Sequence, residues 1–170
     1  MINRLLYKLS AELPCRLIHL SSGPYLERYF VGQWFGVTVY LHRFVSSDKE
    51  RHLHNHPWTW GRAFVLAGGY DEEVVTDLCP RMPFGCVTEY RRINWYNRVD
   101  GATFHRIDRP DPGTWTLFVH GPRQYIKGVR KGWGFLERVA GRVVFEEHPA
   151  SNPRWWKSAR KGKNTEREPL

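Results

Sequence analysis

Between Cys15 and Glu147 the chain is cut into short β-type runs by clusters of turn residues, and this spacing restricts the fold more than any other feature. CRLIHL is followed by SSGP, and YLERYFV leads through Gly32 to WFGVTVYLHRFV. AFVLAGGYDEEVVTDL reads as a strand, a glycine bend and a second strand; EYRRINWYNRV, ATFHRID, TWTLFVHG, GWGFLERV and GRVVFEE follow. The separators CPRMPFGC, VDGA, RPDPG, HGPR and RKGWG are rich in Gly and Pro, which supply the dihedral angles that turns need and strands avoid. Many short strands punctuated in this way predict an all-β sandwich or barrel. No strand–helix alternation is present, which argues against a parallel nucleotide-binding sheet. Upstream, Ile2, Leu5, Leu6, Leu9 and Leu13 recur at helical spacing until Pro14, predicting a short amphipathic N-terminal helix over about residues 2–13. A length of 170 residues suits a single domain that buries its own core. The expected organisation is one β-barrel domain with its N-terminal helix over residues 1–157, then a basic tail over 158–170, mobile from about residue 158. Trp155 and Trp156 are expected to pack onto the barrel.

The formal net charge is +9, and residues 153–170 hold six Lys/Arg against two Glu. A basic surface favours acidic partners. With no RNA-binding signature and no helix-turn-helix pattern, nucleic-acid contact rests on charge alone, and solubility is the simpler account of that charge. Cys15, Cys79 and Cys86 are odd in number and lack CxxC spacing, which argues against a disulfide framework and fits a reducing cytoplasm. No run approaches the roughly 18 apolar residues of a membrane span. Arg4, Lys8 and Glu12 interrupt the N-terminus, so it lacks the apolar centre of a signal peptide. GxSxG, GxxxxGK[ST] and GxGxxG are all missing, which removes sequence support for a serine nucleophile or nucleotide-driven chemistry.

The stretch RHLHNHPWTWGRAFVLAGGY, residues 51–70, gathers His52, His54 and His56. Residues i and i+2 of a strand point to one side, so His54 and His56 can converge if that strand lines a cavity. Two imidazoles so placed can grip a transition metal. His105, in DGATFHRID, is the best candidate for a third ligand. The competing reading is a solvated strand edge with Pro57-Trp58 as a turn and a packed indole.

The spacing resembles the first motif of the cupin superfamily, HxHxxxxExxxxxxG. His54-Asn55-His56 is followed in register by Gly61 and Gly68, whereas starting from His52 puts Leu66 where Gly is expected. The resemblance spans roughly residues 30–145. Within that superfamily the chain is similar to small phage-encoded cupin-like proteins of unassigned function that carry HxHPW…GGY, a later strand His, and TLxxxGPR…WGF; here the matching pieces are HNHPW, LAGGY, FHRID, TLFVHGPR and GWGFL. Two departures stand out. Gly61 occupies the position of the usual Glu ligand. The second motif, PxGxxHxxxN, is partial: Gly101 lies four positions before His105 rather than three, with Asp100 for Pro and Arg109 for Asn.

The resemblance implies a single-domain jelly-roll β-sandwich or barrel and a metal held by His54, His56 and His105 with no carboxylate. Three neutral imidazoles leave the ion's full charge in place, which favours a small anionic substrate. Fe(II) is the favoured metal, in a three-His dioxygenase-type enzyme, with Zn, Ni and Mn open. Zn would instead hold an activated water. Arg123 and Tyr70 are the candidates to orient substrate, although an ion pair and simple packing are the respective alternatives. His120 is expected to cap its strand by a backbone bond. His19, His42, His52 and His148 are read as ordinary. Glu72-Glu73, Glu146-Glu147 and Arg91-Arg92 are read as solvated strand faces. The alternative function is a non-catalytic phage-type cupin binding module that contacts nucleic acid or a protein through its basic surface. The resemblance also suggests a homodimer. The expected location is the cytoplasm, that of the host if the chain is phage-encoded.

Overall fold

The computed structural model describes residues 1–47, 52–78, 86–126, 129–130, 132–140, 142–148, 152 and 154–170. Helix α1 (Ile2–Ser10) precedes β1 (Cys15–Leu20), β2 (Gly23–Trp34), β3 (Val37–Phe44), β4 (Gly61–Ala67), β5 (Tyr70–Leu78), β6 (Cys86–Ile93) and β7 (Tyr96–Val99). Then come β8 (His105–Pro110), β9 (Thr114–His120), β10 (Tyr125–Ile126), β11 (Val129–Arg130), β12 (Gly134–Val139) and β13 (Arg142–Glu147). The fold is the all-β jelly-roll sandwich that the sequence predicts, with one short helix at its N-terminus. No described helix is long and apolar enough to cross a membrane.

One sheet has the order β1-β2-β3-β9-β4-β7, and the facing sheet contains β6-β5-β8. The hairpin β12-β13 joins the second sheet through residues 53–55. His54 forms bridges to both His105 and Phe135, and the Leu136 amide donates to the Leu53 carbonyl at 2.7 Å. The His-rich stretch therefore serves as a very short central strand, with backbone partners on both sides.

Strand alternation sorts the large sheet into two faces. Even-numbered residues of β3, Tyr40 and His42 among them, face the sandwich interior beside Phe118 and Thr116 of β9. Odd-numbered residues face the other way, where Tyr29, Leu41 and Trp115 pack with Leu6 of α1 and Cys15. Burial of Leu6 contributes about 2 kcal/mol toward holding the helix there. The Cys15 thiol is pushed up to about 11 by burial. Cys86 is half-buried, and Cys79 lies outside the described residues.

Three local expectations change. The helix stops at Ser10 rather than near residue 13, because Pro14 disfavours helical geometry in the residue before it. The β2–β3 hairpin turns at Phe35-Gly36, with Phe35 at φ 47° and Gly36 at φ 80°, while Gly32 lies within β2 at a register shift. EYRRINWYNRV breaks after Ile93 into β6 and β7, which belong to different sheets.

The stretch from residue 158, expected to be mobile, lies on the outer face of the large sheet. The Cys15 amide donates to the Arg160 carbonyl at 2.8 Å, and the Gly162 amide to the Leu13 carbonyl at 2.9 Å. Arg43, in a buried ion pair with Glu27 at 3.2 Å, donates to the carbonyls of Glu168 and Pro169, both at 2.6 Å. Glu27 in turn accepts the Glu168 amide at 2.8 Å, and the Arg167 guanidinium lies 3.9 Å from the Tyr7 ring centre. Buried charges on the sheet need polar partners, and the C-terminal backbone supplies them.

Candidate metal centre

The three histidines singled out by spacing meet. One ring nitrogen each from His54, His56 and His105 lie within 4.8 Å of one another. His54 and His105 are buried and His56 is half-buried. His54 and His105 are direct cross-strand partners: each amide donates to the other's carbonyl, at 3.0 and 2.9 Å. His105 stands at the first residue of β8 rather than mid-strand. His56 stacks on Trp58 with ring centres 4.7 Å apart, while Trp133 and Phe135 lie beside the His54 ring. The histidines line a cavity of about 70 Å³, shared with Arg28, His42 and Tyr70, among others. One water needs about 10–15 Å³ on this measure, so the space suits a few waters or a ligand of a few heavy atoms.

Glu72 explains how His105 is aimed. Its carboxylate is fully buried and accepts a hydrogen bond from His105 Nδ1. It also accepts from Arg91 Nε at 2.6 Å and Asn97 Nδ2 at 2.8 Å. Burial pushes the Glu72 carboxyl up, but the His105 hydrogen bond and the Arg91 guanidinium beside it outweigh this and hold the group below its ordinary range. An ionised carboxylate only accepts, so the proton of His105 sits on Nδ1 and Nε2 faces the cavity. That Nε2 lies 2.8 Å from His56 Nε2. Two imidazole nitrogens bound at right angles to one ion at about 2.1 Å would sit about 3.0 Å apart, so the pair fits adjacent positions on a single metal. A histidine whose far nitrogen is held by a carboxylate is the usual arrangement for a metal ligand. By donor chemistry and orientation, the group can hold a divalent metal.

The reading of Glu72-Glu73 as a solvated face is corrected: both are buried. Glu72 is opposite Arg91, and Glu73 is opposite both Tyr90 and Arg106. Arg106 Nε donates to Glu73 at 2.7 Å. One signal for Glu72 was present in the sequence, because it lies two residues from the aromatic Tyr70 on the same face of one strand. His42 is likewise not ordinary. It is buried in the cavity wall, accepts a hydrogen bond from Arg28 Nε at 3.0 Å, and is held well below the usual histidine range by burial and the Arg28 charge. His52 lies apart on the surface, 3.7 Å from Glu137.

Gly61, where the resemblance expects a carboxylate ligand, is tightly packed, and any side chain there would force its neighbours to shift. A Cβ there would fall 2.8 Å from Val99 Cγ2 and 3.0 Å from Phe118 Cζ. Gly68, the register glycine, has φ 69°, and a Cβ there would meet Thr114 Oγ1 at 2.5 Å. Asp100 caps a turn by accepting from the Ala102 and Thr103 amides, and Arg109 pairs with Asp108 at 3.2 Å.

Tyr70 is buried in the wall of the histidine cavity, where its hydroxyl accepts from Asn97 Nδ2 at 3.1 Å; burial pushes the phenol up, with the Glu72 charge adding to it. Arg123 does not line that cavity. It belongs to an adjacent cleft together with His120. His120 bonds backbone as expected, through Nδ1 to the Gly121 carbonyl at 2.8 Å, and burial lowers it to about 4.

No protein-family model and no curated protein matches the chain. Solved structures of cupin fold resemble it. KdgF from Halomonas sp. is 15% identical over 62% of this chain and 87% of that one, with a TM-score of 0.42. An Fe(II)-HppE complex with substrate is 10% identical over 66% and 57%, at 0.48. Oxalate decarboxylase from Bacillus subtilis is 13% identical over 71% and 30%, also at 0.48. The chain thus spans less than two thirds of the latter two, and the likeness concerns shape alone.

Proposed function

We propose that the protein is a metal-binding cupin in which His54, His56 and His105 hold a divalent transition metal, Fe(II) by preference, and that it acts as a dioxygenase-type enzyme on a small anionic substrate. The observation that carries this reading is the convergence of three imidazoles on one cavity, one of them aimed by the buried carboxylate of Glu72. A metal there would supply Lewis acidity and, as Fe(II), redox capacity. The chain's own groups do the rest. Glu72 fixes the proton of His105 on Nδ1. Trp58, Phe118 and Val99 give the cavity apolar walls that limit water. Arg28 places positive charge in the same wall, where an anionic substrate gains from it. Tyr70, held by Asn97, presents its ring to this cavity as the remaining candidate to orient substrate.

The filled position at Gly61 favours one competing reading, a phage-type cupin whose metal site is structural and which contacts nucleic acid or protein through its basic surface. Elemental analysis of untagged protein tests the first part. About half an ion per chain or more is expected, lost in His54→Ala and in His105→Ala. A metal-free protein whose melting temperature ignores both chelator and added Fe(II) would sink the proposal. Oxygen consumption by the Fe(II)-loaded protein, surveyed over small thiols and carboxylates, separates an enzyme from a binding module.

A further inference from the structure

A second cleft, of about 380 Å³, lies against the histidine cavity. Arg28 and Trp58 line both spaces, and Trp58 stacks on His56 and also on His120, at 4.7 and 4.1 Å. The cleft's volume is that of a small-molecule site. Its lining is set apart by charge. Arg16 from β1, Arg28 from β2, Arg123 from the turn after β9 and Arg154 near the C-terminus all reach it, and among the described residues none of its lining is a carboxylate. Bringing four guanidiniums from four separate segments to one concave surface costs repulsion, which an anionic ligand offsets. Trp155 and Trp156, nearly perpendicular at 82°, add aromatic surface to the lining, with Trp156 itself stacked on Phe30 at 4.3 Å. Burial chiefly, with Arg28 and Arg123 adding to it, keeps His120 neutral above about pH 4, so it adds no further charge.

We infer that this cleft binds a small organic polyanion, its clustered anionic oxygens (phosphoryl or paired carboxylates) held by Arg16, Arg123 and Arg154 and its body lying against Trp155. The shared wall sets one end of such a ligand beside the histidine cavity. This makes the cleft the seat for the charged end of the substrate proposed above, and that role alone rests on the metal-enzyme reading. Binding itself does not require the metal.

Intrinsic tryptophan fluorescence and calorimetry of the full chain, titrated at low salt with pyrophosphate and separately with malonate, test the inference. Saturable one-to-one binding of at least one probe is expected, and the tighter of the two identifies the anionic group. Arg123→Gln/Arg154→Gln, with circular dichroism confirming the fold, should weaken it about tenfold or more, the loss expected for charge-assisted hydrogen bonds. His54→Ala should bind the probe like the wild type even when it holds no metal. Absence of saturable binding by both probes overturns the inference. So does binding that survives the double arginine variant but is lost in His54→Ala, because the anion would then belong to the histidine cavity. Preference for single-stranded oligonucleotide over either small probe, with several nucleotides per site, overturns it in favour of a nucleic-acid surface.

Discussion

Replacing Glu72 by Gln isolates what a buried carboxylate does for the three-histidine centre. The wild-type group satisfies three donors, His105 Nδ1, Asn97 Nδ2 and Arg91 Nε. Gln has one acceptor oxygen and a donating amide. With the oxygen kept toward His105 and Asn97, the amide opposes Arg91 Nε, and a charge-assisted bond worth about 1.5–3 kcal/mol is lost. The Arg91 side chain is 44% exposed, so its guanidinium can turn to water and recover part of that. With the oxygen turned toward Arg91, His105 faces a donor and must move its proton to Nε2, which removes its lone pair from the cavity. Either way the negative charge that makes His105 a better donor to a metal is gone. Loss of such a partner weakens metal binding by about 10–100-fold, or about 1.4–2.7 kcal/mol. Competition with a chromophoric chelator, using Co(II) or Zn(II) to avoid oxidation, measures this, and circular dichroism reports whether the fold survives. A folded Glu72→Gln protein whose affinity lies within about twofold of wild type would refute the reasoning.

Two further outcomes follow from the buried groups. His120 is held at about 4 in the folded protein against an ordinary 6.5, so the unfolded chain takes up a proton that the folded one refuses. Its contribution is complete above about pH 6.5 and is lost as pH falls toward 4, with an upper bound of about 3 kcal/mol. The direction at His42 is the same. Urea unfolding of wild type and His120→Asn at pH 7 and pH 4.5 should show a shallower acid loss in the variant; parallel losses would discount His120. Deletion of residues 165–170 removes the backbone partners of Arg43 and Glu27. After allowing for the entropy of ordering six residues, the net loss is about 2–3 kcal/mol, a drop of about 5–10 °C in melting temperature. A truncated protein that melts within about 1 °C of the full chain would show that the docked tail contributes nothing.

The sequence carried the parts of the fold that depend on local chemistry. Turn clusters marked most strand ends, and the spacing from His54 and His56 to Gly68 picked two histidines and left His52 aside. Gly68 is needed where it stands, at positive φ against Thr114. What stayed hidden depends on tertiary pairing. Glu72 looks like a surface acid until the register sets it opposite Arg91 and two residues from the rung of His105. His42 looks ordinary because nothing local announces that Arg28 is its cross-strand partner. The polar, unpatterned C-terminal stretch reads as solvated, and only the buried Glu27–Arg43 pair supplies a reason for it to dock. Gly61 looked like a missing ligand, whereas Val99 and Phe118 pack so closely on it that even a Cβ would force them to move.

The mutual backbone bonds of His54 and His105 have a consequence for how such a centre evolves and fails. Their separation is inherited from strand spacing, so it is set before any ion arrives and does not depend on the ion to persist. A substitution of either imidazole by another donor would retune metal preference while leaving the scaffold's geometry intact. A one-residue slip of the His54 segment against β8 would turn His54 and His56 out of the cavity and leave His105 alone in it. Metal uptake is therefore a chemical reporter of correct strand register, available during refolding long before any substrate is known.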